Sequence, residues 1–207
     1  LNAQHQVKAL VVACNTATAA AIAALRARHP TLPVVGVEPA LKPAVARTRS
    51  GRVGVMATRG TLNSARFAQL LAAMPPRIEF VLQACDGLAH AIERGTVEPE
   101  ANAQVHALCQ RYTQAMGSID TLVLGCTHYV FAQHTLRALL GPGVALLDTG
   151  APVARQTRRL LAASGALATE GGAVRLFTTG DLPALQAAAA RWLQLPASAC
   201  ASAHVPA

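Results

Sequence analysis

Short β-branched runs alternate along this chain with longer, alanine-rich segments whose apolar residues recur at helical spacing, the pattern of parallel strands joined by crossover helices. The runs predict strands near residues 8–13, 34–37, 53–57, 78–83, 121–125, 144–148 and 174–178, with helices in the gaps. Breakers punctuate these units: Pro30 and Pro33 after the first helix, Pro75 and Pro76 before the fourth strand, Gly141 to Gly143 before the sixth. Residues 3–12 read as the tail of a helix running straight into a strand, and Leu1 stands where an initiator methionine would, so a segment upstream is expected.

One unit is used twice. Leu10-Val11-Val12-Ala13-Cys14 is echoed by Leu122-Val123-Leu124-Gly125-Cys126, a threonine follows each cysteine closely, and Leu25-Arg26 is echoed by Leu136-Arg137. The expected fold is therefore α/β, with two pseudo-symmetric lobes, each a mostly parallel sheet flanked by helices. Glu38 and Asp148 each end a strand, which places the crossings there: residues 1–38 plus 148–207 form the first lobe and 39–147 the second.

At 207 residues, 52% hydrophobic and 14% charged, the chain can bury a core and cannot be a solvated tail. Its longest near-apolar stretch, residues 17–25, falls short of the ~20 needed to span a bilayer, and no signal pattern opens it. A net charge of +8 would suit a polyanion, but it is spread thinly. Only Lys42, Arg47, Arg49, Arg52 and Arg59 come near a cluster, and aromatics are 3% of the chain, which argues against a nucleic-acid groove with stacking platforms. Five cysteines, an odd number in a chain that needs no staples, read as free thiols in a reducing cytoplasm.

Ligands of open α/β sheets bind outside the carboxyl ends of the strands, where helix N-termini point unpaired N–H groups. Cys14 and Cys126 are both expected there, where the positive end of a helix dipole favours thiolate, a base or a nucleophile. Asn15 and Thr16 after the first, Thr127 and His128 after the second, supply donors suited to a carboxylate. A phosphate-loop phosphatase would need arginine where Ala20 and Ala132 stand, and Cys126 with His128 and His134 lacks the paired spacing of a zinc site. A cysteine hydrolase with His128 as its base stays open.

Two thiols facing one carbon from opposite lobes could remove a proton from one face of a chiral centre and deliver another to the opposite face. The alternative for an amino-acid α-carbon is a pyridoxal Schiff base, yet the only lysines are Lys8, about 20 Å from the Cys14 end of its strand, and Lys42, with no phosphate loop beside it. A cofactor-free route is expected.

The segments Leu10-Val11-Val12-Ala13-Cys14-Asn15-Thr16-Ala17-Thr18 and Gly125-Cys126-Thr127-His128-Tyr129 resemble the two signatures of bacterial glutamate racemase. Gly36-Val37-Glu38-Pro39-Ala40, Val53-Gly54-Val55-Met56-Ala57-Thr58-Arg59-Gly60-Thr61 and Ala91-Ile92-Glu93-Arg94-Gly95 agree. The resemblance implies interconversion of L- and D-glutamate, supplying D-glutamate for peptidoglycan, with Cys14 and Cys126 as acid/bases and neither cofactor nor metal. It implies that His128 assists Cys126 and that Glu93 is an auxiliary acidic residue. Asn15, Thr16, Thr127, His128, Thr58 and Thr61 would bind substrate. Each of these residue types also serves as a cap or turn, and Glu93 as a solvated helix carboxylate.

Aspartate racemases are the runner-up, since they usually carry glutamate where His128 stands; a catalytically impaired binding protein of the same fold is the other alternative. The family's opening strand with its Asp-Ser-Gly turn, and its Pro-Tyr-Gly segment, do not occur in this chain. The first lobe's sheet would then expose an edge that invites self-association as a homodimer.

Overall fold

The structure, a computed structural model, describes residues 7–97 and 101–204. The part of the predicted helix tail between residues 3 and 6 lies outside them. Strand β1 (Leu10–Val12) leads into helix α1 (Asn15–Arg28), β2 (Val34–Gly36) and α2 (Leu41–Arg47). Then come β3 (Arg52–Ala57), α3 (Arg59–Leu62), α4 (Ala65–Ala72), β4 (Glu79–Ala84), α5 (Leu88–Val97), α6 (Ala101–Met116) and β5 (Thr121–Gly125). A 3₁₀ turn (Tyr129–Ala132) precedes α7 (Gln133–Leu140), β6 (Ala145–Leu147) and α8 (Gly150–Ala163). The chain ends in β7 (Leu176–Thr178), α9 (Leu182–Ala188), a π-helical turn (Ala189–Leu193) and β8 (Cys200–Ser202).

All strand pairs among the described residues are parallel, as crossover helices require. They form three sheets: β1-β2, then β4-β3-β5-β6, then β7-β8. In the four-stranded sheet, β5 is buried along its whole length and β3 along all but its first residue, so both faces are covered. Alternation sorts the side chains. Met56, Leu122 and Leu124 face α5, α6 and α7 through Leu88, Ile92, Cys109, Tyr112, Met116 and Leu136, while Val53, Val55 and Val123 face Leu41, Ala44 and Phe67. Each fully buried leucine or valine in these layers contributes roughly 1.5–3 kcal/mol. Gly54 lets α6 lie close, because a Cβ there would meet Ile119 Cδ1 at 2.7 Å and Met116 Sδ at 2.8 Å.

Helix α1 buries a narrow stripe, Asn15, Thr18 and Ile22, against β2. Thr18 ties the unit together: its Oγ1 donates to Val12 O at 3.1 Å and accepts from Val37 N–H at 3.0 Å. Helix α8 also packs on β2. The C-terminal α9 and the π-helical turn lean instead on α5 and the 3₁₀ turn, through Arg191 and the Phe131–Trp192 ring pair at 4.6 Å. Among the described residues no helix is long and apolar enough to cross a membrane.

Candidate active site

Cys14 is the N-cap of α1, exposed, with extended backbone (φ −153°, ψ 125°), and its Sγ accepts from Ala17 N–H at 3.4 Å. Here the expected helix N-terminus is present. Asn15 follows, 4% exposed, with neither Oδ1 nor Nδ2 partnered within the described residues. A buried amide without hydrogen bonds costs about 1–3 kcal/mol. That cost marks a position shaped for something other than packing.

Cys126 differs from the sequence expectation. It ends β5 in a turn followed by a 3₁₀ helix, and α7 begins only at Gln133, so it caps no α-helix. The reason is tertiary: Tyr129 is fully buried, and its hydroxyl donates to Cys85 O at 3.3 Å, which pulls the chain down before α7 can start. The repeated sequence thus yields two unlike thiol settings. Where Cys14 has a helix dipole, Cys126 has a histidine: its Sγ lies 3.7 Å from His128 Nδ1, and His128 Nε2 lies 2.8 Å from Glu93 Oε1 on α5. The hydrogen bond to Cys126 and then Glu93 raise the His128 pKa to about 9, against the opposing effect of burial. An imidazolium between two acceptors donates to both. Gly125 makes room for this turn, since a Cβ would fall 2.9 Å from the backbone oxygen of Met56 and 3.0 Å from Ala57 Cβ.

The threonines assemble into one cluster. Thr16 Oγ1 is 2.8 Å from Thr58 Oγ1 and 3.0 Å from Thr61 Oγ1, and Thr58 and Thr61 are 3.0 Å apart. Thr58 also caps α3, accepting from Thr61 N–H at 3.2 Å. This ring joins the start of α1 to the turn after β3. Thr127 lies in a cavity of about 180 Å³, shared by Ala13, Val37, Cys126, Asp148 and Thr149. Ala13, just before Cys14, and Cys126 therefore line one space.

Three features escaped the sequence reading. Asp148 was placed only as a strand end, yet it lines the cavity and its Oδ1 accepts from Gly150 N–H at 2.8 Å at the start of α8. Arg59 is ion-paired with Asp86, whose carbonyl accepts from Tyr112 Oη at 2.6 Å. Tyr129 is the buried anchor of the second thiol turn. Its position directly after His128 was the available signal.

Residues 1–157 match the family model described as Asp/Glu/Hydantoin racemase, and the chain belongs to this family. Glutamate racemase of Pseudomonas syringae pv. tomato is 51% identical over 178 residues, 85% of this chain and 64% of that relative. The chain spans about two thirds of that relative's length. Among solved structures, a glutamate racemase isoform from Bacillus anthracis matches with a TM-score of 0.82 at 32% identity, over 99% of this chain and 76% of that one. Escherichia coli glutamate racemase, solved with L-glutamate and the activator UDP-MurNAc-ala, matches with a TM-score of 0.78 at 28% identity, over 93% of this chain and 73% of that one.

Proposed function

We propose that this chain interconverts L- and D-glutamate through two thiols acting on opposite faces of the α-carbon. The observation that carries the reading is the Cys126–His128–Glu93 chain of contacts at the cavity that Ala13, next to Cys14, also lines. One thiolate takes the α-proton and leaves a carbanion stabilised as the enolate of the substrate carboxylate. The opposite thiol then delivers its own proton to the other face, so the two sulfurs exchange protonation states in each turnover. At Cys14 the α1 N-terminus and the Ala17 N–H face the sulfur. At Cys126 the His128 imidazolium faces it, held by Glu93.

Asn15, Thr16, Thr58, Thr61, Thr127 and His128 hold the substrate carboxylates and amine, with no cofactor or metal in the cycle. Two lobes, residues 1–38 plus 148–207 and 39–147, form the walls, and their relative motion opens the cleft. In the cell this reading puts the chain in the cytoplasm, as a homodimer, providing D-glutamate for peptidoglycan. The Escherichia coli relative bound to L-glutamate supports the substrate class.

Racemisation run in deuterated water tests the mechanism. The product enantiomer should carry solvent deuterium at the α-carbon from the first turnover, and Cys14→Ser or Cys126→Ser should abolish racemisation, because a hydroxyl is too weak a base near neutral pH. Full activity in either serine variant would overturn the two-thiol assignment. Turnover of aspartate but not glutamate would overturn the substrate.

A further inference from the structure

Glu93 and His128 are 63% and 35% exposed, so packing immediately around them does not fix how they meet. Both, however, sit on elements gripped by one remote segment. Arg191, on the π-helical turn, donates from Nη1 to Gly95 O at 2.5 Å, two residues beyond Glu93 on α5. That carbonyl belongs to the last turn of α5, where the partial negative charge of a helix's carbonyl end suits a guanidinium. The guanidinium carbon also lies 4.8 Å from the centroid of Trp192. Trp192 in turn packs against Phe131, three residues beyond His128 on the 3₁₀ turn. Both side chains lie on the π-helical turn, which ends at Gln194 with φ 55°.

We propose that Arg191 is a positioning residue, which with Trp192 ties α5 to the 3₁₀ turn and so fixes Glu93 and His128 against Cys126. This role rests on the reading of Cys126 as an acid/base. Arg191 itself touches neither substrate nor thiol. The ionisable groups acting on His128 are Cys126 at the end of β5 and Glu93 on α5, and Arg191 acts through the second.

The test pairs Arg191→Ala with Arg191→Lys in the full chain and reads the His128 ring by NMR titration alongside glutamate kinetics. In the alanine variant the Glu93 contact loosens. The His128 titration should move down, the alkaline limb of kcat should move down with it, and kcat should fall about ten- to a hundredfold while KM changes little. Lysine, which keeps a cationic donor for Gly95 O, should restore most of both. An unmoved His128 titration in Arg191→Ala overturns the proposal, as does a loss of kcat with no shift in the pH profile. If the alanine variant does not fold, Arg191→Gln is read in its place with the same outcomes. The titration does not depend on turnover, so a chain that fails to racemise sinks the acid/base reading, whereas an active chain with an unmoved His128 sinks only the positioning role.

Discussion

Glu93→Gln should weaken the protein in a way that depends on pH, and the direction follows from His128. In the folded chain the Cys126 hydrogen bond and Glu93 carry the imidazole from its ordinary 6.5 to about 9. Because folding favours the charged ring, the stabilisation is whole below about 6.5 and fades as pH rises through about 9. Carried over in full, that interval corresponds to ~3.4 kcal/mol. The pair is too exposed for the full value, at 35% for His128 and 63% for Glu93, and screening brings it to about 1 kcal/mol. Glutamine removes one of the two sources, so His128 should titrate lower than in the parent yet still above its ordinary value, since Cys126 remains. Urea unfolding of parent and variant at about pH 6 and about pH 10 should show a stability loss of ~0.5–1 kcal/mol at the first and little at the second. A loss of equal size at both, or a His128 that titrates at or below its ordinary value in the parent, would refute the reasoning.

Thr18→Val keeps the shape of the buried stripe on α1 but leaves Val12 O and the Val37 N–H without their partner. It should cost about 1–3 kcal/mol in urea unfolding, and a change within error would show that the two backbone groups find other partners. Asp120 accepts from Thr48 Oγ1 at 2.6 Å and from the Arg49 and Ser50 N–H groups at 2.7 Å. Burial works to raise its pKa, but these hydrogen bonds outweigh it and hold the carboxylate well below its ordinary range. Asp120→Asn should therefore lose about 1 kcal/mol at neutral pH, with the parent's advantage shrinking as pH falls below about 4; an advantage that persists in acid would contradict the assignment.

The four-stranded sheet was legible because its buried strands are apolar on both faces: residues 121–125 are read from sequence with the bounds that the structure gives. Strand β8 was not, since Cys200-Ala201-Ser202 has no β-branched residue and, among the described residues, pairs only with distant β7. Candidate site residues near the cysteines could be picked out by their types, but their grouping could not. Thr16 meets Thr58 and Thr61 from more than forty positions away in sequence, and an exposed Glu93 is indistinguishable from a solvated carboxylate until His128 is placed beside it. The doubled motif also overstated the symmetry. A buried Tyr129 after the second cysteine converts what would be a helix start into a 3₁₀ turn, a tertiary effect that a five-residue echo does not foretell.

The threonine triangle has a directional property. Three hydroxyls, each with one proton to give, can close a ring in which every proton is spent on a neighbour and none is offered outward. Such a ring has two senses of rotation, which the Thr61 N–H donated to Thr58 Oγ1 makes inequivalent. An anion reaching any one member claims its proton, breaks a single link, and forces the remaining two to point the same way, toward the guest. The cluster latches α1 to α3, and under the proposed function an anion would turn it into a short polarised wire whose last donor faces the anion. Loosening the latch and gripping the ligand would then be one reorientation of a single proton, with no heavy atom obliged to travel.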